Sequence, residues 1–251
     1  MRYAALATDY DGTIAHHGHV EAATLAALSR VRESGRKLLL VTGRELPDLL
    51  HVFPEAGIFD LIVAENGAFL YYPISNEIRM LAQPPPRSFS ELLLVRGVSQ
   101  LSVGRVIVAT QEQYEPVVRQ AIEELGLELQ IILNKGSVMV LPRGVDKASG
   151  LRAGLGELAI SPDAVVGVGD AENDQVFLDL CGCSVAVGNA LQSVKDRATF
   201  TTASGHGTGV CELIDQLISS DLSEAGTLRR RDSPVGLGLS VTRHSRRPRR
   251  N

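Results

Sequence analysis

The stretch LATDYDGTIA, residues 6–15, begins as an apolar strand and ends on two aspartates that are one residue apart. Like charges this close raise each other's pKa and destabilise a fold unless a cation or a function requires them. Gly12 follows the second aspartate, and glycine permits a sharp turn whose backbone N–H groups face an anion. The stretch therefore predicts a buried strand that ends at a site for charged groups.

Five short apolar runs predict strands that are buried on both faces, because each run is continuous rather than alternating. They are Ala4–Thr8, Leu38–Val41, Leu61–Ala64, Val165–Val168 and Val185–Val187. Segments with helical periodicity lie between them, at Glu21–Ser34, Asn173–Leu180 and Val210–Leu217. Alternating strands and helices predict the α/β class and a doubly wound parallel sheet.

Polar residues follow each of the five predicted strands. These exits contain Asp9 and Asp11, Thr42-Gly43-Arg44, Glu65-Asn66-Gly67, Gly169-Asp170 and Gly188-Asn189. In an open α/β sheet the ligand crevice lies beyond the carboxyl ends of the strands. We therefore expect these polar groups to converge at one site.

An insert interrupts the alternation after the third strand, where Gln83-Pro84-Pro85-Pro86 makes a stiff break. It predicts helices over Ser90–Ser99 and Glu115–Leu125 and strands over Arg105–Thr110, Glu128–Leu133 and Ser137–Leu141, the last two forming a hairpin. We expect a core domain from residues 1–82 and 143–224, with residues 83–142 forming a small α/β cap domain over the crevice.

The charge distribution predicts a separate C-terminal tail. The whole chain has 25 basic and 29 acidic residues. Residues 225–251 contain eight arginines and one acidic residue, which leaves 17 basic and 28 acidic residues in the rest of the chain. An acidic body followed by a basic extension that contains Ser, Pro and Gly indicates a folded domain with a flexible tail. The tail has no aromatic side chains for base stacking, so we do not expect a nucleic-acid partner.

Composition predicts a folded, soluble protein, because 44% of the 251 residues are hydrophobic. No apolar run is long enough to cross a bilayer, and the N-terminus lacks the pattern of a signal peptide, so we expect a cytoplasmic protein without a membrane partner. The three cysteines form no CxxC pair, which favours reduced thiols over a disulfide framework or a zinc site.

The acidic residues expected at the crevice predict a metal site. They are Asp9, Asp11, Asp170 and Asp174. Oxygen ligands without histidine or thiolate favour Mg²⁺, which accepts one or two carboxylates together with a substrate phosphate. Thr42 and Lys147 would add a hydroxyl donor and a positive charge, and this set is typical of phosphoryl transfer.

Four segments resemble, in order, the four motifs of the haloacid dehalogenase superfamily. They are DYDGT at residues 9–13, VTGR at 41–44, GVDKASGL at 144–151 and GDAEND at 169–174. The insert between the second and third motifs is similar to the C2-type cap of the Cof-type branch, subfamily IIB. The resemblance covers residues 1–222 and implies a Rossmann-like core, a cap and Mg²⁺-dependent hydrolysis of a phosphate monoester.

The resemblance also implies roles for individual residues. Asp9 would be the nucleophile that forms an aspartyl-phosphate, and Asp11 the general acid and base. Asp170 would ligate Mg²⁺ together with the Asp9 side chain and the Asp11 backbone carbonyl. The other expected site residues are Thr42, Gly43, Lys147 and Asn173 at the phosphoryl group, with Asp174, Asn66 and Arg44 in support.

Two alternatives remain open at the level of sequence. A phosphomutase or phosphotransferase of the same superfamily would return the phosphoryl group to a sugar, and a non-catalytic binding module would use the arginine-rich tail. The cap is small for its class and resembles that of archaeal-type phosphoglycolate phosphatases. A small phosphorylated metabolite, phosphoglycolate or a sugar phosphate, is therefore the expected substrate, and no oligomeric state is predicted.

Overall fold

A computed structural model describes residues 1–223 and 229–230 of the chain. The strands are β1 (Ala5–Thr8), β2 (Lys37–Val41), β3 (Leu61–Ala64), β4 (Phe69–Tyr72), β5 (Glu77–Met80), β6 (Ser102–Val103), β7 (Val108–Gln111), β8 (Leu129–Asn134), β9 (Ser137–Pro142), β10 (Val165–Gly169), β11 (Cys183–Ala186), β12 (Phe200–Thr201) and β13 (Arg229–Arg230). The helices are α1 (Ala22–Glu33), α2 (Leu46–Val52), α3 (Arg87–Val95), α4 (Glu115–Glu124), α5 (Lys147–Glu157), α6 (Gln175–Leu180), α7 (Gln192–Lys195) and α8 (His206–Ser220).

The larger sheet has the strand order β13-β12-β11-β10-β1-β2-β3-β4-β5 within the described residues. All pairings from β12 to β3 are parallel, and β1 lies between β10 and β2. The predicted strands correspond to β1, β2, β3, β10 and β11, so the prediction of a doubly wound parallel α/β sheet is confirmed.

Burial explains why these strands read as continuous apolar runs. Every residue of β1, β3 and β10 is buried, because helices cover both faces of the sheet. Helix α1 packs against α8, and α5 packs against α6 and β3. The carboxyl ends of β1, β2, β3 and β10 consequently lie side by side, and the residues that follow them are adjacent.

An antiparallel hairpin that the sequence did not predict extends this sheet beyond β3. Strand β4 pairs with β3, and β5 pairs with β4. Three of the four residues of β5 are exposed, so it carries little of the apolar pattern by which the other strands were recognised. Its position depends on pairing with β4.

The insert contains a four-stranded antiparallel sheet with the order β6-β7-β9-β8, together with α3 and α4. It has its own apolar cluster, in which Phe89 and Leu93 of α3 pack with Val118 of α4 and Val140 of β9. The predicted small α/β insert is therefore present. The predicted domain bounds, residues 83–142, stay a prediction. Leu141 lies within these bounds but packs in the apolar cluster of the larger sheet.

Two elements of the insert differ from their predicted positions. Helix α3 covers Arg87–Val95 instead of Ser90–Ser99, because it begins directly after Pro86 and Gly97 follows it with a φ of 82°. The strand predicted over Arg105–Thr110 begins only at Val108. The N–H groups of residues 105–107 bind a side chain of the core instead of a neighbouring strand.

The predicted flexible tail falls almost wholly outside the described residues. Within it, Arg229–Arg230 forms β13 and pairs antiparallel with β12 at one edge of the larger sheet. Across residues 1–223 and 229–230, no helix has both the length and the apolar character that crossing a bilayer requires.

Candidate active site

A cavity of about 370 Å³ lies where the strand ends of the larger sheet face the insert. Six of the residues predicted for the site line it: Asp9, Asp11, Gly43, Arg44, Lys147 and Asn173. The insert contributes Ser102, Ile107, Ala109, Asn134 and Met139. Both parts of the chain therefore form this cavity.

Four other predicted residues lie next to the cavity. Asp170 and Asp174 are hydrogen-bonded to lysines of the site, and Asn66 is hydrogen-bonded to Asn173. Thr42 is buried, and its hydroxyl oxygen accepts the Arg44 N–H at 3.1 Å. The structure thus brings the predicted residues to one place. Thr42 differs from the others in that its hydroxyl binds the backbone of Arg44.

Lys147 joins two of the predicted carboxylates. Its Nζ atom donates to Asp9 Oδ1 and to Asp174 Oδ1, each at 2.5 Å, and all three side chains are buried. Helix α5 begins at Lys147, and a reciprocal capping box between Asp146 and Ser149 fixes this helix start. The lysine is therefore held against Asp9 by its backbone position as well as by charge.

Burial and neighbouring charges shift the pKa values of the charged groups in this cluster. Burial, followed by repulsion from Asp174, raises the pKa of Asp9 to about 7, although Lys147 opposes the shift. Burial by itself would lower the pKa of Lys147, but the attraction of Asp174 and Asp9 raises it above its ordinary value. Burial therefore opposes ionisation of Asp9, and a further positive charge beside it would favour the ionised carboxylate.

Arg44 binds the second aspartate of the opening stretch. Its Nε and Nη2 atoms donate to the two carboxylate oxygens of Asp11, both at 2.7 Å, and Nη1 donates to Asp48 at 2.5 Å. The hydrogen bond to Asp11 is the largest cause of the raised pKa of Arg44. About 46% of the Asp11 side chain is exposed, so this carboxylate faces the cavity while the Asp9 carboxylate is buried.

Oxygen atoms from Asp9, Asp11 and Asp170 fit a magnesium site. The Thr13 hydroxyl lies 3.2 Å from Asp9 Oδ2 and 3.4 Å from Asp170 Oδ1, so the two carboxylates face the same point. Ligand oxygens of Asp9, Asp170 and Asp174 lie within 4.8 Å of one another. Such an all-oxygen set suits Mg²⁺.

Asp174 supports this set instead of completing it, because both of its oxygens are in use. Oδ1 accepts from Lys147, and Oδ2 accepts the N–H groups of Asp170 and Ala171 at 2.9 Å. Gly12 leaves the necessary space, since a Cβ atom there would lie 2.3 Å from Asp170 Oδ2. A metal ion at this point would take carboxylate oxygens of Asp9 and Asp170 and the Asp11 carbonyl oxygen in place of their Thr13 and Lys135 donors.

Lys135 is a site residue that the sequence did not reveal. Its Nζ atom donates to Asp170 Oδ2 at 2.8 Å and to the Asp11 carbonyl oxygen at 3.0 Å. A positive charge therefore already contacts two of the three atoms that fit Mg²⁺. The sequence placed Lys135 only in a hairpin turn, and no local pattern indicated that this turn reaches the core.

Asn66 and Asn173 form a buried contact between the core and the insert. Asn66 Nδ2 lies 2.8 Å from Met139 Sδ, and Asn173 Nδ2 donates to Asn66 Oδ1 at 3.2 Å. The other amide atom of Asn173, Oδ1, is buried and has no hydrogen-bond partner among the described residues. Asn173 thus offers a free acceptor at the cavity wall.

Glu65 fastens the insert to the core, a role that the sequence also did not reveal. This fully buried carboxylate accepts the backbone N–H groups of Arg105 at 2.9 Å, Val106 at 2.7 Å and Ile107 at 2.9 Å. Gly104 must be glycine for this approach, since a Cβ atom there would lie 2.7 Å from Glu65 Oε1. Three charge-assisted hydrogen bonds therefore hold the segment that precedes β7 against the residue that follows β3.

Comparison with protein families gives a match over most of the chain. The family model for haloacid dehalogenase-like hydrolases matches residues 6–93 and 96–214. Curated relatives include a phosphoglycolate phosphatase of Methanothermobacter thermautotrophicus, 30% identical over 218 residues that cover 84% of this chain and 96% of the relative. A phosphoglycolate phosphatase of Sulfolobus acidocaldarius is 29% identical, and the match covers 86% of this chain and 97% of that relative.

Solved structures share the fold. A haloacid dehalogenase-like hydrolase from Bacteroides thetaiotaomicron superimposes with a TM-score of 0.76 at 20% identity, covering 86% of this chain and 99% of that protein. A sugar phosphatase of haloacid dehalogenase subclass IIB superimposes with a TM-score of 0.69 at 18% identity, and the match covers 85% of this chain and 98% of that protein. These structures support the α/β fold predicted from the sequence.

Proposed function

Because the chain belongs to the family of haloacid dehalogenase-like hydrolases, we propose that it is a Mg²⁺-dependent phosphatase that hydrolyses a small phosphorylated metabolite through an aspartyl-phosphate. The observation that carries this proposal is the pair of aspartates after β1, of which Asp9 is buried against Lys147 and Asp11 faces the cavity. Two carboxylates in such different surroundings suit two different roles.

Asp9 is the nucleophile in this proposal. One of its carboxylate oxygens attacks phosphorus, the ester bond breaks, and the phosphoryl group is carried by Asp9. Lys147, at 2.5 Å from Asp9 Oδ1, neutralises negative charge as the phosphoryl oxygens approach. The Gly43 backbone N–H and the second hydrogen of Asn173 Nδ2 are the donors that bind the phosphoryl oxygens, since both residues line the same cavity.

Asp11 is the general acid and base. It gives a proton to the leaving alkoxide in the first step, and it takes a proton from water when water attacks the aspartyl-phosphate. Phosphate then leaves, and both aspartates return to their starting states. Arg44 orients Asp11 through two hydrogen bonds, while the half-exposed carboxylate can turn toward the cavity.

Asp9, Asp170 and the Asp11 carbonyl would hold the magnesium ion. The bound ion supplies positive charge that keeps Asp9 ionised and neutralises phosphoryl oxygens. The raised pKa of Asp9 supports this placement, as does the contact of the Lys135 ammonium with two of the same oxygens.

Phosphoglycolate is the first candidate substrate, and a sugar phosphate is the second. Relatives that carry the name phosphoglycolate phosphatase are about 30% identical over nearly their full lengths. A cavity of about 370 Å³ accommodates a phosphate ester of a few carbon atoms. The insert forms one side of this cavity, so its residues select the leaving group.

The test is phosphate release from a panel of phosphorylated metabolites and from p-nitrophenyl phosphate, with Mg²⁺ and with EDTA. We expect Mg²⁺-dependent release by the full chain and none by Asp9→Asn, because an amide of the same volume cannot attack phosphorus. Asp215→Asn, an exposed change on α8, is the matched control. Residual activity of Asp9→Asn within tenfold of wild type would rule out Asp9 as the nucleophile, and transfer to sugar instead of water would indicate a mutase.

A further inference from the structure

Lys135 lies at the tip of the hairpin formed by β8 and β9 and reaches from the insert to the strand ends of the core. Two residues connect the paired positions Asn134 and Ser137, and both have positive φ, 47° for Lys135 and 80° for Gly136. Such a two-residue turn has a defined geometry. The direction in which Lys135 leaves the hairpin is therefore set by the fold of the insert.

We propose that Lys135 recognises the leaving group of the substrate and that this leaving group carries a carboxylate. The inference rests on the proposed phosphatase function and names the chemical class of its substrate, a phosphorylated short hydroxy acid. In this proposal the core supplies the catalytic residues, and Lys135 of the insert determines substrate specificity.

The two core cations that line the cavity, Arg44 and Lys147, already have carboxylate partners. Arg44 binds Asp11 and Asp48, and Lys147 binds two other buried aspartates. Lys135 has one carboxylate partner among the described residues, Asp170. Asp170 is also the residue that the proposed function requires for Mg²⁺.

An ammonium group and a magnesium ion cannot occupy the same position. Lys135 Nζ is within 3.0 Å of both Asp170 Oδ2 and the Asp11 carbonyl oxygen, two of the atoms assigned to the metal. When the ion binds, like-charge repulsion removes the ammonium from these oxygens. A lysine whose side chain is 43% exposed then lies beside the cavity without a protein carboxylate.

The insert residues that line the cavity carry no charge, so Lys135, which follows the lining residue Asn134, brings the positive charge of the insert to this side. These lining residues are Ser102, Ile107, Ala109, Asn134 and Met139. Asn134, adjacent to Lys135, has a buried side-chain oxygen without a hydrogen-bond partner. Rotation of this amide presents an N–H donor instead. A carboxylate accepts from an ammonium and an amide together, so this pair matches a carboxylate better than a neutral group.

The position of Lys135 also limits the length of the leaving group. Without the ion the ammonium contacts Asp170, which shares the Thr13 hydroxyl with Asp9. The hairpin turn fixes the Lys135 backbone, so an ammonium displaced by the ion stays within one side-chain length of the proposed nucleophile. A carboxylate that reaches Lys135 while the phosphoryl group is at Asp9 must be close to the ester oxygen. A two-carbon or three-carbon hydroxy acid meets this condition.

A pair of substrates that differ only in the carboxylate tests the proposal. 2-Phosphoglycolate and 2-hydroxyethyl phosphate are compared with wild-type protein, Lys135→Met, Lys135→Arg and the control Lys37→Met. Lys37 is a lysine of similar exposure, paired with Asp60 away from the cavity. We expect Lys135→Met to raise KM for 2-phosphoglycolate about ten- to one-hundredfold, the effect of losing a hydrogen bond to a charged group, and to change KM for 2-hydroxyethyl phosphate less than threefold.

Lys135→Arg should recover part of the preference for 2-phosphoglycolate, because the positive charge is retained. Equal losses for both substrates, or no loss for either, would overturn the assignment. The Mg²⁺ affinity of Lys135→Met, measured by titration calorimetry, should equal or exceed that of wild type. Weaker Mg²⁺ binding would show that Lys135 acts through the metal site, and the specificity role would be wrong.

Binding of inert analogues gives a second readout that does not depend on turnover. 3-Phosphonopropionate and 3-hydroxypropylphosphonate replace the ester oxygen by a methylene group and differ again only in the carboxylate. With saturating Mg²⁺, Lys135→Met should weaken the binding of 3-phosphonopropionate alone. If wild-type protein hydrolyses no ester, the proposed function fails, while this binding difference still decides whether Lys135 recognises the carboxylate.

Discussion

Arg44 donates hydrogen bonds to both carboxylate oxygens of Asp11, each at 2.7 Å. A planar guanidinium that binds a carboxylate in this way fixes its orientation as well as its charge. Asp11 is nevertheless about half exposed, in contrast to the buried Asp9 two residues earlier. The two aspartates of one strand end therefore differ in environment, which is the structural basis for assigning them different steps.

Asp11→Asn should separate the two chemical steps. The amide keeps one acceptor oxygen for Arg44 but transfers no proton, so we expect steady-state turnover to fall about 100-fold to 10,000-fold. A nitrophenolate leaves without a proton, so p-nitrophenyl phosphate should give a burst of about one product per enzyme before the slow phase. Rapid-mixing absorbance measures this burst, with Asp215→Asn as the control. Unchanged turnover would contradict the acid and base role of Asp11.

Asp170→Asn should raise the Mg²⁺ requirement. Replacing a ligand carboxylate by an amide removes charge from the metal site, so the Mg²⁺ concentration for half-maximal phosphate release should increase at least tenfold, since even outer-shell changes cost 10-fold to 100-fold in affinity. Activity is measured across a Mg²⁺ series at fixed substrate. If the variant saturates at the same Mg²⁺ concentration as wild type, Asp170 does not hold the metal.

Glu65→Gln should loosen the insert from the core. Glu65 accepts three backbone N–H groups, and a glutamine has one acceptor oxygen and no charge with which to bind them. We expect the free energy of unfolding to fall by about 1–3 kcal/mol. Hydrogen exchange should accelerate at residues 105–107. Glu77→Gln on the exposed strand β5 is the control, and unchanged exchange at residues 105–107 would refute the clamp.

Sequence predicted those parts of the fold and site that depend on local pattern. The buried strands β1 and β3 were placed to within one residue, since their apolar runs are continuous. Asp9 and Asp170 were placed at strand ends, and parallel neighbours bring such ends together. The predicted site residues are close in space because the sheet topology was right.

The parts that sequence missed depend on contacts between distant segments. Lys135 and Asp11 are 124 residues apart, and only the docking of a hairpin on the core brings them together. The sequence placed Glu65 among the polar residues that follow the third strand, but its hydrogen-bond partners are backbone N–H groups of the insert. These same N–H groups explain why the strand predicted from Arg105 begins at Val108. No periodicity encodes such pairings.

Removal of residues 227–251 should leave phosphatase kinetics unchanged. The four motifs and α8 precede this segment, and β13 pairs at the outer edge of the sheet, beyond β12, β11 and β10 from β1. We expect kcat and KM within twofold of the full chain. A large drop in turnover with the circular dichroism spectrum retained would assign the tail a role in catalysis and revive the alternative of a tail-dependent function.

Asp221→Asn should lower stability in a pH-dependent way. Asp221 ends α8 in the left-handed region, with a φ of 53°, and it accepts hydrogen bonds from the backbone of Arg2 and from Arg36 Nη2 at 2.9 Å. Burial alone would raise the pKa of Asp221, but these donors lower it below its ordinary value. Asparagine tolerates the same backbone conformation, so the substitution removes charge while the turn is kept.

The sign of the pH dependence follows from this direction. A carboxyl group whose pKa is lower in the folded state stabilises the fold at pH values above its unfolded pKa of about 3.9, and the contribution is lost as the pH falls through the folded pKa. Wild type should therefore exceed Asp221→Asn in free energy of unfolding by about 1 kcal/mol at pH 7, because the side chain is partly exposed. The difference should be unchanged at pH 5.5 and should shrink between pH 4 and pH 3. Urea unfolding at each pH measures it, with Asp215→Asn on the same helix as the control. A difference that stays constant down to pH 3 would mean that the charge of Asp221 does not stabilise the junction between α8 and the N-terminal strand.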